Sequence, residues 1–366
     1  MALIVVAKIG TSSLTDDQGE IDTAAVAKVC REVADLRADG HRVVLVTSGA
    51  IAAGLPALGL GGAARPRDAR TLQAVSAVGQ SRLMRVYDRV FGDLELVCGQ
   101  VLLAPLDFGV RQQYLQARGT IRRLLELGVV PVINENDAIA DDEIRFGDND
   151  RLAALVAHLV DADVLVLLTD APGLLTADPR LDPTASLIEE IVESDHELEA
   201  RAGGAGSARG SGGMASKVLA ARIAAWSGVR AVIAAAGRQG VLAAAVAGEP
   251  GVGTVALPRD RRLPARKLWI AFAVGASGVV VVDDGARRAL LERKTSLLAA
   301  GVIEVVGRFE AEDAVEIADG EGRVFAKGLV RVSSTGLAAV AGRRTGELPD
   351  GVPHEVVHRD DLVVLP

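Results

Sequence analysis

The chain has 366 residues, room for about two domains, and its 49% hydrophobic content is ample for a core in each. A formal charge of -8 and a pI of about 5.3 argue against general affinity for nucleic acid or anionic membranes. No apolar run approaches the ~20 residues of a membrane span.

The first apolar run, Leu3 to Ala7, ends at Lys8 and a glycine turn, so it reads as a strand rather than a signal peptide. Similar β-branched runs follow at Arg42–Thr47, Leu96–Leu103, Val129–Ile133, Val164–Thr169 and Ala231–Ala235. Between them, helical periodicity marks 22–39, 68–91, 111–127, 149–160 and 214–227. Near-continuous apolar strands alternating with helices predict an α/β fold, a mostly parallel sheet sandwiched by helices. In such sheets ligands bind beyond the carboxyl ends of the strands. Here those ends are polar or glycine-rich: Lys8-Ile9-Gly10-Thr11, Thr47-Ser48-Gly49, Asn134-Glu135-Asn136-Asp137 and Thr169-Asp170.

The character changes near residue 250. Pro250, Gly251, Gly253, Pro258 and Pro264, with Arg259, Arg261 and Arg262 among them, read as a linker. Short strands follow at Gly278–Asp283, Gly301–Val306, Ala314–Ile317 and Val324–Val332, with one helix near 285–294. The expected division is 1–256, a linker at 257–267, and a small β-rich domain at 268–366. From Arg266 onward 13 Lys+Arg stand against 15 Asp+Glu, a net of -2.

Cys30 and Cys98 lie in apolar surroundings without CxxC spacing and read as reduced core residues of a cytoplasmic protein. The five histidines form no metal-ligand cluster, and His358-Arg359-Asp360 matches a kinase catalytic loop only by coincidence.

Lysine is scarce: six against 34 arginines, with only Lys8, Lys28 and Lys217 in the first 266 residues. Lys8 and Lys217 both sit in phosphate-type turns. A compact ammonium suits a phosphoryl group in flight, where a planar guanidinium does not substitute. Lys28 falls mid-helix with no motif around it and is expected to be an ordinary surface residue. Residues 203–213 hold six glycines in eleven and lead into a helix near Met214, an arrangement that offers N–H groups and a positive dipole end to phosphate. There is no Gly-Lys dipeptide and hence no Walker A loop, and Gly210-x-Gly212-x-x-Ala215 lacks an immediately preceding strand.

Asn134-Glu135-Asn136-Asp137 and Gly147-Asp148-Asn149-Asp150 are two acidic-amide clusters able to fold back on each other as a hairpin. They offer groups for a substrate ammonium, for a carboxylate through N–H donors, or for Mg2+ through water. With the glycine loop and the lysines, they point to phosphoryl transfer by positioning and charge neutralisation. A carboxylate acceptor is already a nucleophile at neutral pH, so no histidine or cysteine base is required.

These residues resemble the glutamate 5-kinases, of the amino acid kinase fold, over essentially the whole chain. The markers are Val6-Ala7-Lys8-Ile9-Gly10-Thr11-Ser12, Val46-Thr47-Ser48-Gly49-Ala50-Ile51-Ala52-Ala53-Gly54, Ala77-Val78-Gly79-Gln80, Val132-Ile133-Asn134-Glu135-Asn136-Asp137, Gly147-Asp148-Asn149-Asp150, Leu168-Thr169-Asp170, Gly173-Leu174, Thr176-Ala177-Asp178-Pro179-Arg180 and Gly212-Gly213-Met214. The resemblance implies phosphorylation of the L-glutamate side-chain carboxylate by ATP, the first step of proline synthesis, with Mg2+ carried by the nucleotide and no metal site of the protein's own. It implies Lys8, Lys217 and Asp150 as catalytic residues, with the carboxylate holding both lysines. It implies Ser48, Asp137, Asp148 and Asn149 for glutamate, and Lys8, Thr169, Asp170, Ser211, Gly212, Gly213, Met214, Ala215, Ser216 and Lys217 for ATP. Proline as feedback inhibitor at or near the glutamate site, a homo-oligomer (dimer or tetramer) and a glutamyl phosphate reductase as partner are implied likewise.

The C-terminal part resembles a PUA domain through Arg266-Lys267-x-Trp269-Ile270, Val282-Asp283-Asp284-Gly285-Ala286 and Ser296-Leu297-Leu298-x-x-Gly301. PUA domains elsewhere bind RNA; the net charge of -2 does not support that here, and a structural or regulatory role is expected. The chain departs from the usual pattern at Ser211 and Ser216 (threonine is usual), Gln116 (asparagine), Leu175 (tyrosine) and Glu312 (glycine). The rival readings are another kinase of this fold, acting on acetylglutamate, aspartate, carbamate or UMP, and an RNA-binding or regulatory protein that kept a degenerate kinase domain.

Overall fold

The computed structural model describes residues 1–60, 66, 68–139, 149–177, 182, 184–191, 213–259, 262–349 and 351–365. They form two compact units, Met1–Arg262 and Leu263–Pro366.

The first unit is built on eight strands: β1 Ile4–Ile9, β2 Arg42–Val46, β3 Cys98–Leu103, β4 Val130–Glu135, β5 Val164–Thr169, β6 Glu190–Ile191, β7 Arg230–Ala235 and β8 Gly253–Ala256. Their order is β3-β4-β2-β1-β5-β7-β8-β6, and every pair is parallel except β7 with β8. β4 and β5 are buried at every residue because helices cover both faces of the sheet. The helices are α1 Thr23–Ala38, α2 Ala50–Gly54, α3 Ala69–Asp93, α4 Arg111–Glu126, α5 Asn149–Val160, α6 Met214–Trp226 and α7 Val241–Ala247.

The α/β reading holds, and every expected strand and long helix of this unit is present to within two residues at each end. One strand was not expected: Gly253–Ala256, in the Pro- and Gly-rich stretch just before the linker expected at 257–267, pairs antiparallel to β7. Its glycine and the nearby prolines hid a four-residue strand too short to show a period.

One hydrophobic core joins α1, α3 and α7 to alternate residues of the sheet, among them Val5, Ala7 and Ile9 of β1 and Val164, Val166 and Leu168 of β5. Strand alternation sends Lys8 and Thr169 to the opposite face, where α5 packs against β1 and α6. α2 and α3 cross with almost no gap. A Cβ on Gly79 would lie 1.7 Å from the Ala50 carbonyl oxygen, and one on Gly54 2.1 Å from that of Val75. Gly49, which opens α2, has φ +101°, a conformation that favours glycine.

The second unit holds β9 Gly278–Val282, β10 Leu297–Leu298, β11 Val302–Gly307, β12 Ala314–Ala318, β13 Val324–Val330 and β14 Glu355–Val364, in the order β10-β14-β13-β12-β9-β11. Among the described residues of this unit, β12 and β9 alone pair in parallel. Sequence reading missed β10, β14 and the helix Ser334–Val340, whose N-cap Ser333 accepts from the Gly336 N–H. Glu312 has φ +74°, a backbone conformation that favours the glycine the resemblance leads one to expect there.

Candidate functional site

Lys8 stands one residue before the end of β1, Asp150 in the first turn of α5 and Lys217 in the second turn of α6. All three are buried, at 4%, 1% and 6% exposure. Lys8 Nζ lies 2.7 Å from Asp150 Oδ1, and Lys217 Nζ donates to Asp150 Oδ2 at 2.9 Å. Burial works against ionising Asp150, but the two ammonium groups and their hydrogen bonds outweigh it and hold the carboxyl below the usual carboxylate range. Among the described residues, two ammonium groups thus share the two oxygens of one buried carboxylate. A Cβ on Gly10 would stand 3.3 Å from Lys8 Nζ, so glycine keeps the approach to this ammonium open.

The helix start at Gly213 presents its first-turn N–H groups beside this triad. Ser216 donates to the Gly213 carbonyl at 2.9 Å, with Asp150 Oδ2 at 3.3 Å from the same hydroxyl. Met214 and Ala215 lie in this turn, while Ser211 and Gly212 fall outside the described residues. At the end of β5, Thr169 Oγ1 donates to Asp170 Oδ1 at 3.1 Å.

A second set of polar groups lies across the strand ends of β2 and β4. Asn149 Nδ2 donates to Ser48 Oγ at 3.0 Å, and Asn149 Oδ1, though buried, has no hydrogen-bond partner among the described residues. Asp137 follows β4 and accepts a 2.6 Å hydrogen bond from Ser76 of α3. Burial pushes its carboxyl above the usual range, and the Ser76 hydroxyl draws it back part of the way. Asn134 and Gln100 both donate to Gln80 Oε1, and Gln80 Nε2 donates to the Glu135 carbonyl. Asp148, and the 140–148 connection through which the two acidic-amide clusters were expected to form a hairpin, fall outside the described residues. Asn149 and Asp150 open α5, the helix expected over 149–160.

The pattern of the amino acid kinase family matches residues 3–235, and that of the PUA domain residues 278–351. The chain belongs to the amino acid kinase family. Within it, the chain groups with the glutamate 5-kinases. It is 44% identical over 365 residues to the glutamate 5-kinase of Pelobacter propionicus, covering 99% of this chain and 97% of that one. The enzyme of the same name from Moorella thermoacetica is 45% identical over 365 residues, covering 99% and 96%. Among solved structures, carbamate kinase from Giardia lamblia bound to AMP-PNP shares the fold. Its TM-score is 0.51 at 17% identity, over 70% of this chain and 99% of that one.

Two parts of this kinase's site were not legible as motifs. Ser76 is reached only through the docking of α3 and reads as an ordinary helix residue just before the Ala77-Val78-Gly79-Gln80 marker. Lys28 overturns its expectation: it is 17% exposed and no ordinary surface group. Its ammonium lies 2.6 Å from Glu32 Oε1 and donates to the Arg238 carbonyl at 2.8 Å, while Glu32 Oε2 accepts from the Leu242 N–H at 2.9 Å. This half-buried pair ties α1 to the segment entering α7. It also lines a cavity of about 300 Å³ with Ser13, Leu168, Asp170 and Gly237, next to the strand ends. Nothing local in the sequence marks a contact 210 residues away.

Proposed function

We propose that this kinase transfers the γ-phosphoryl group of ATP to the side-chain carboxylate of L-glutamate, giving L-glutamyl 5-phosphate and ADP, with Mg2+ travelling on the nucleotide. The observation that carries the reading is the pair of ammonium groups held on the two oxygens of Asp150. The 44–45% identity to glutamate 5-kinases over nearly the full chain selects the acceptor.

In this reaction a glutamate carboxylate oxygen attacks the γ-phosphorus. The bond from that phosphorus to the bridging oxygen breaks, and ADP leaves with the electron pair. The acceptor is ionised at neutral pH, so no proton has to be removed. Lys8 and Lys217 neutralise charge on the phosphoryl oxygens, and Asp150 fixes both ammonium groups before substrate arrives, so no reorganisation is needed in the transition state. Thr169, Asp170 and the 211–217 turn hold the nucleotide. Ser48, Asp137, Asp148 and Asn149 hold glutamate. Its ammonium group suits the Asp137 carboxylate and the buried Asn149 Oδ1, both acceptors.

Further properties follow from the likeness to glutamate 5-kinases. The kinase domain spans 1–256 and a linker joins it to the second domain. Proline, which shares the α-carboxylate and α-nitrogen of glutamate, inhibits at or near the glutamate site. The enzyme is a cytoplasmic homo-oligomer, dimer or tetramer, and passes its labile product to a reductase. Among the described residues no helix is long and apolar enough to cross a membrane.

The test is to trap the acyl phosphate as a hydroxamate in the presence of ATP and Mg2+. L-glutamate gives product; an equal or larger signal with acetylglutamate or aspartate overturns the assignment.

A further inference from the structure

We infer that Ser76 is a positioning residue that holds the Asp137 carboxylate toward the ammonium end of the amino-acid substrate; this rests on the glutamate reading above. Ser76 is 1% exposed and lies within α3, far from either terminus. A serine inside a helix commonly turns its hydroxyl back to the carbonyl four residues earlier or out to water. Here the hydroxyl donates instead to Asp137 Oδ2 at 2.6 Å, across 61 residues of sequence, and the carboxylate it meets is itself buried. A hydroxyl-to-carboxylate hydrogen bond of this length is charge-assisted and directional.

The surrounding turn of α3 is fixed on both sides. Three residues on, Gly79 brings the helix backbone against Ala50 of α2, immediately after Ser48 and Gly49. Four residues on, Gln80 donates to the Glu135 carbonyl at the end of β4. One helical turn therefore holds the Ser48 side and the Asp137 side of the site at a set separation, and Ser76 is the member that reaches an ionisable group. The burial that raises the Asp137 carboxyl is opposed by this same hydroxyl, so the contact favours the charged form as well as one rotamer.

The test compares wild type, Ser76→Ala and Ser76→Cys with ATP and Mg2+, using L-glutamate and glutarate, which has the same terminal carboxylate and no ammonium group. For Ser76→Ala, KM for glutamate rises about tenfold, as expected for losing a hydrogen bond to a charged group. Turnover and KM for ATP stay within about twofold, the pattern of lost ground-state binding. The preference in kcat/KM for glutamate over glutarate falls by about the same tenfold. Ser76→Cys, with a weaker donor of similar shape, falls between the two, so a poorly folded alanine variant does not leave the question open. An unchanged preference in the cysteine or the alanine variant, or a loss equal for both substrates, overturns the inference while glutamate activity of the wild type stands. Absence of wild-type activity on glutamate overturns the substrate reading and this inference together.

Discussion

Asn149 donates to Ser48 at 3.0 Å across 101 residues, while its chain neighbour Asp150 binds Lys8 and Lys217. In the proposed reaction these two consecutive residues at the start of α5 would face two chemistries, the amino-acid side and the phosphoryl side. A helix start buried under strand ends is stiff, so the distance between acceptor and phosphoryl group is set by one peptide unit instead of by loops. Such fixed placement removes part of the entropic barrier to transfer.

Replacing Lys217 by arginine keeps the charge and loses the shape. Lys217→Arg is expected to lower turnover by about 100-fold or more, the scale of losing one oriented donor. Steady-state kinetics with a folding check by circular dichroism decides it, and near-normal turnover refutes the role given to the ammonium.

Asp150 is the carboxylate that both lysines share. Asp150→Asn should destabilise the first unit by about 3 kcal/mol at neutral pH, in the range for breaking a buried ion pair, and abolish measurable turnover. The folded pKa of Asp150 is depressed, so its contribution is present above the ordinary value of about 4 and is lost as pH falls through the lower folded value. Urea midpoints of wild type and variant should therefore converge only well below pH ~4; equal midpoints at pH ~7 count against the triad as a stabilising group.

The Lys28–Glu32 pair is a structural clamp with partners on both members. Glu32→Leu leaves Lys28 and the Leu242 N–H without that acceptor and should cost about 3 kcal/mol. Lys28→Met leaves Glu32 charged and buried, at a similar cost. The double variant should lose clearly less than the sum of the two, and a double-mutant cycle by denaturant unfolding measures the difference. Strict additivity is the outcome that contradicts the clamp.

His158 lies near the end of α5. Burial pushes its imidazole down to about 4, with Asp161 opposing the shift and Arg262 and Arg118 adding to it. The unfolded chain binds a proton near pH ~6.5 and the folded one does not, so the stability is fully present above pH ~6.5 and is lost as pH falls toward ~4. At pH ~5 the loss from this group is about 2 kcal/mol. His158→Gln should lack that part of the acid slope between pH ~7 and ~5 in urea unfolding; an identical slope shows that His158 titrates normally.

The sheet was legible because its signal is local. Runs such as Val5-Val6-Ala7 and Leu165-Val166-Leu167 carry their burial in their own composition, and the amphipathic period of α1, α3 and α4 does the same. Lys8 and Lys217 stood out for a different reason, as rare lysines in glycine turns, and Asp150 as part of a polar cluster; its link to the two lysines came only with the resemblance. The four-residue strand Gly253–Ala256 and the two-residue strands are too short to carry a period, and they form only because a neighbouring strand supplies their hydrogen bonds.

By itself, then, the sequence determined which residues gather at the carboxyl edge of the sheet, since apolar runs and turns fix where each strand stops. Only the tertiary structure decided the finer partners: which Asp150 oxygen meets which lysine, that Ser76 leaves its own helix to bind Asp137, and that Lys28 is clamped to Glu32 and Arg238. A side chain's reach is a few ångströms and its partner lies 61 to 210 residues away. Such pairings exist only once the elements have docked.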